Sequence, residues 1–127
     1  MNPTIHCYEE HQEPFDEDGN EGEHWSDDLG DHDCIEALSW SGKPITEHSI
    51  IAEAARFLFD SDATQASSSH FRPGMWYSTS WDEHPYTGEQ TQKTFHLKGF
   101  SPEMERAVCE SLASRIRHRY GRKLDMG

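Results

Sequence analysis

Beyond residue 100 the apolar positions fall into step. Met104, Val108, Leu112 and Ile116 recur every four residues, flanked by Ala107 and Tyr120, as on one buried face of a helix. Ser101 is placed to cap that helix, Pro102 suits its first position, and Glu103 and Glu105 favour its positive end. Arg115, Arg117, His118 and Arg119 crowd the last turns, and Gly121 is the expected stop. A second helix is expected over Glu47–Phe59, capped by Thr46. Its apolar face is Ile51, Ala54, Ala55 and Leu58, widened by Ile50 and Phe57. Asp60-Ser61-Asp62 should end it, and the small polar run Ala63–Ser69 reads as a loop.

Two stretches alternate instead. Met75, Tyr77, Thr79 and Trp81 share one side of Met75–Trp81, while Thr91, Lys93, Phe95 and Leu97 share one side of Glu89–Leu97. Pro85 and Gly88 lie between them, so the pair predicts a β-hairpin. Cys34–Ser41, ended by Gly42 and Pro44, reads as a short strand. Residues 9–33 follow neither period and read as acidic and irregular. Within that stretch and just before it, Tyr8, Phe15, Trp25 and Leu29 are spaced to pin the segment onto a core. The expected fold is α+β: a small antiparallel sheet with two helices on one face, preceded by an acidic irregular N-terminal segment. The expected divisions are the acidic segment 1–33, an α+β domain 34–120 and a basic C-terminal tail 121–127.

Charge sharpens these divisions. Residues 1–40 hold thirteen Asp and Glu and no Lys or Arg, whereas residues 91–127 hold eight Lys and Arg against four acids. The whole chain of 127 residues carries −13, or −4 if all nine histidines were protonated. So negative a chain is a poor partner for nucleic-acid phosphates or anionic membranes, and its charge suits a basic partner, a metal cation or simple solubility. There is no run of eighteen apolar residues, and Met1–Ile5 lacks the basic and apolar regions of a signal peptide. With three cysteines, too few for a disulfide framework, the expectation is a cytoplasmic protein.

Candidate chemistry changes this picture little. His6, Cys7, His11, His24, His32 and Cys34 all lie near the N-terminus, but the only close pairs, His6-Cys7 and His32-Asp33-Cys34, match neither usual zinc spacing, though His6 and His11 stand at histidine-pair spacing. A small metal-binding domain using His6, Cys7, His32 and Cys34 is the alternative reading. Asp16, Asp18 and Asn20 match the first positions of a calcium loop, but Glu21 stands where the turn needs glycine. Trp81-Asp82-Glu83-His84 gathers acid and imidazole at the hairpin tip, where solvated turn charges are the default. Neither a nucleophile elbow nor a phosphate-binding or dinucleotide motif occurs, so no enzyme activity and no cofactor are expected.

In size and in its Glu9–Glu36 acidic stretch the chain resembles small acidic phage-encoded inhibitors, the DNA mimics and anti-CRISPR proteins. These share no motif, so the resemblance carries over no functional residue. It implies a non-enzymatic protein that occludes the basic surface of a nucleic-acid-binding complex, a CRISPR or other defence complex, without touching nucleic acid itself. The partner-facing residues are expected to be Asp16, Glu17, Asp18, Glu21, Glu23, Asp27 and Asp28. The basic C-terminal third departs from a uniformly acidic mimic and would confine such a surface to one end.

Overall fold

A computed structural model of the chain describes residues 2–63 and 68–126. Strand β1 (Thr4–Gln12) is flanked on one side by β2 (His24–Asp33) and on the other by β5 (Gln90–Lys98). Strands β3 (Trp76–Ser78) and β4 (Asp82–Glu83) both pair with the far side of β5, and every pairing is antiparallel. Helices α1 (Cys34–Trp40) and α2 (Glu47–Asp60) join β2 to β3, and α3 (Pro102–Met126) follows β5. The fold is α+β, as expected.

Period-two alternation explains the sheet. On β1, Ile5 and Cys7 turn inward and meet Leu97 and Phe95 of β5 in register, and Tyr77 of β3 meets Phe95. Onto this face pack Ala54, Ala55 and Leu58 of α2 with Val108, Cys109 and Leu112 of α3. The opposite face carries His6, Tyr8, Trp76 and His96, a chain of rings across three strands with centroids 4.5–5.6 Å apart.

Thr46 caps α2 as expected, through a reciprocal box with Ser49, and Ser101 Oγ accepts from the Met104 amide at 3.2 Å. The hairpin forms as expected and buries Tyr77, Phe95 and Leu97, but its first strand is broken into β3 and β4, and Trp81 and Lys93 on the same faces are exposed.

Three expectations are corrected. Cys34–Trp40 is a helix, not a strand. Asp33 accepts from the amides of Ile35 and Glu36, and Cys34 and Leu38, four apart, turn to the core. The sheet therefore has three accompanying helices rather than two. The N-terminal segment is not irregular: residues 4–12 and 24–33 are long paired strands of the sheet, and the Cys34 amide donates to Pro3. Helix α3 does not stop at Gly121 but continues to Met126. The loop expected over Ala63–Ser69 falls largely on residues 64–67, outside those described.

Candidate functional site

The acidic residues sit on the β1–β2 hairpin. Its 13–23 loop is closed by the Glu13 amide donating to Glu23 at 2.9 Å, with Gln12 Nε2 bridging to the carbonyls of Glu13 and Gly22. At the tip, Asp16 Oδ1 accepts from the amides of Asp18 and Asn20, and Gly19 takes the positive φ the turn requires. The Asn20 amide, with those of its neighbours, holds the Asp16 carboxyl below its ordinary pKa. The calcium-like spacing of Asp16, Asp18 and Asn20 is thus used for an Asx turn.

Asp16, Glu17, Asp18, Glu21 and Glu23 are all exposed on this loop. Asp27 and Asp28 lie on β2 with side chains 58% and 61% exposed. Being adjacent on a strand, they face opposite ways. A bulge opposite Cys7 and Tyr8 accommodates Gly30 at positive φ, its amide donating to Asp28 at 2.8 Å. That amide is the main reason the Asp28 carboxyl lies below its ordinary value. Tyr8 and Trp25 do pin the hairpin, but Phe15 and Leu29 are largely exposed.

Histidines, rather than lysine or arginine, accompany these carboxylates. His6 lies between Asp28, at 3.0 Å, and Asp31 on the outer face. His24 approaches Glu10 at 3.4 Å. On the inner face, His11 Nδ1 donates to Glu89 at 2.9 Å, while Nε2 faces Asp27 at 2.9 Å and Glu9 at 3.1 Å. The Glu89 bond chiefly, and the Asp27 and Glu9 charges, raise the His11 pKa. His32 stacks on Phe57 and bonds to Glu53, which also accepts two bonds from Arg56. Among the described residues, Arg56 makes the only Lys or Arg ion pairs, with Glu53 and Asp60. Farther along the chain, Arg106 and Arg119 rest over Phe71 and Phe59 instead.

The alternative metal quartet does not converge. His6 and Cys7, adjacent on β1, project to opposite faces, and His32 is occupied by Phe57 and Glu53. Cys34 is fully buried, and among the described residues its sulfur joins no group of three or more donor atoms close enough to share an ion. His84 of the Asp82-Glu83-His84 run accepts the Tyr86 and Thr87 amides and braces its turn.

Sequence reasoning missed two features. The His11–Glu89 contact spans 78 residues and leaves no local trace. Glu53 is buried within the helix stripe, and its only sequence signal is Arg56 three positions on. No protein-family model, curated protein or solved structure matches this chain.

Proposed function

We propose that this chain is a non-enzymatic interaction protein whose acidic hairpin covers a basic, nucleic-acid-binding surface of a partner protein. One observation carries the reading: the exposed carboxylates of the 13–23 loop and β2 have no Lys or Arg ion pair among the described residues. Carboxylates repel by about 1 kcal/mol per pair at 4 Å in water, and more beside protein. A fold that crowds them on a braced hairpin leaves that repulsion to be relieved by an incoming cationic surface. Proteins that bind duplex DNA present Lys and Arg to about one phosphate per 1.7 Å of axis, the complement such a hairpin needs. A CRISPR or other defence complex is the class of partner we favour, in keeping with a small phage-encoded inhibitor acting in the cytoplasm.

Affinity capture from a lysate at low and high salt tests this. The expected result is retention of a nucleic-acid-binding protein at low salt and its release at high salt. Retention unaffected by salt, or by neutralising the loop carboxylates, would contradict it.

A further inference from the structure

His11 presents a different arrangement from the other hairpin histidines. It is 8% exposed, its ring is stacked on Trp25, and the Nδ1–H bond to Glu89 fixes its orientation. Nε2 is closed off from solvent, with Asp27 Oδ2 and Glu9 Oε1, 2.9 and 3.1 Å away, facing it. The three donor atoms all lie within 4.8 Å of one another. With the Nδ1–H tautomer, Nε2 and the two carboxylates have no proton between them, so a proton on Nε2 or a metal cation is needed to offset their repulsion.

We propose that Glu9, His11 and Asp27 form a binding site for a divalent first-row transition-metal ion such as Zn²⁺, with Glu89 orienting the imidazole. Three features support it. A carboxylate on the remote ring nitrogen is the usual means of aligning a metal-bound histidine. Bonds of about 2.1 Å set neighbouring ligands about 3.4 Å apart around a tetrahedral ion and about 3.0 Å around an octahedral one, so the observed 2.9 and 3.1 Å need only a small opening to hold Zn²⁺. One imidazole with two carboxylates suits a transition ion better than Mg²⁺ or Ca²⁺, which favour all-oxygen sites. Entry is available through Asp27, which is 58% exposed, and Glu9 also lines a cleft of about 360 Å³ with Asp62, Trp81, Asp82, Thr91 and Lys93. Lys93 stands opposite Glu9 in register and is the one cation near the site among the described residues.

The site stands independently of the occlusion reading. If both hold, a chelator removes the ion without releasing the captured partner. The test is calorimetric titration of metal-free protein with Zn²⁺ near neutral pH at about 0.15 M salt. The expected result is saturation near one ion per chain, with affinity lowered about tenfold or more in Asp27→Asn, Glu9→Gln and Glu89→Gln. Equimolar Mg²⁺ or Ca²⁺ should not compete. Asp27 is exposed, so Asp27→Asn remains informative if another variant fails to fold, as circular dichroism would report. Zn²⁺ binding unchanged in Asp27→Asn would overturn the site. So would equal competition by Mg²⁺, which marks simple condensation on an acidic surface, or no saturable binding, which marks His11 as a protonated clamp only.

Discussion

The imidazole of His11 lies parallel to the indole of Trp25, with ring centroids 4.9 Å apart and planes within 5°. The two residues face each other across β1 and β2, so the stack joins the edge strand to the sheet where the acidic loop begins. An edge strand rich in charge is also protected from pairing with other chains. The same hairpin thus joins a ring stack that supports the sheet to the carboxylates proposed to meet a partner.

The core gives the simplest prediction. Leu112 is fully buried between α3, α2 and the sheet. Leu112→Ala should lower stability by about 2–5 kcal/mol, read as a fall in urea midpoint at unchanged slope. An unchanged midpoint would remove α3 from the core.

Glu53 gives a pH prediction. Burial pushes its carboxyl up, but the bonds from Arg56 and His32 outweigh this and hold it below its ordinary pKa. Cys34, nearby at the start of α1, is kept as a neutral thiol. A depressed carboxyl contributes stability above its unfolded pKa, about 4.3, and that contribution is lost as pH falls through the folded value. Glu53→Gln should therefore cost roughly 1–3 kcal/mol at neutral pH, with the difference shrinking below about pH 4. Thermal melts of both proteins across that range measure it, and a constant difference would contradict the ion-pair assignment.

The cysteines should be inert in the folded chain. Cys34 and Cys109 are fully buried and Cys7 nearly so, and burial raises all three pKa values. A thiol reagent at neutral pH should label them only in denaturant. Rapid labelling of the native protein would place at least one at an accessible position.

Much of the fold was legible where one period dominated. The α3 stripe, the Thr46 cap and the alternation around Tyr77 and Phe95 each announce their elements. Cys34–Trp40 misled because a short, mostly apolar segment fits either period. The Asp33 cap and the Cys34–Leu38 spacing were the signals that decide it. β1 was obscured because its inward set continues from Ile5 and Cys7 into Glu9 and His11, so a strand half inside the core reads as merely acidic. The acidic surface could be read from composition. The Glu9–His11–Asp27–Glu89 cluster could not, because register across β2, β1 and β5 assembles it.

Neutralising the loop tests whether its charge serves binding rather than folding. Glu17, Asp18, Glu21 and Glu23 are exposed, and the described structure gives none of their side chains an ion pair. Converting the four to Gln or Asn should leave the melting temperature equal or higher, because self-repulsion falls. Asp16 is left intact because it braces the turn. A lower melting temperature would show that these carboxylates support the fold.

Competition between this chain and duplex DNA for the captured partner tests the central claim most directly. The account predicts mutually exclusive binding, weakened by salt and by the four-residue neutralised variant. A ternary complex of chain, partner and DNA, or competition that the neutralised variant sustains undiminished, would contradict it.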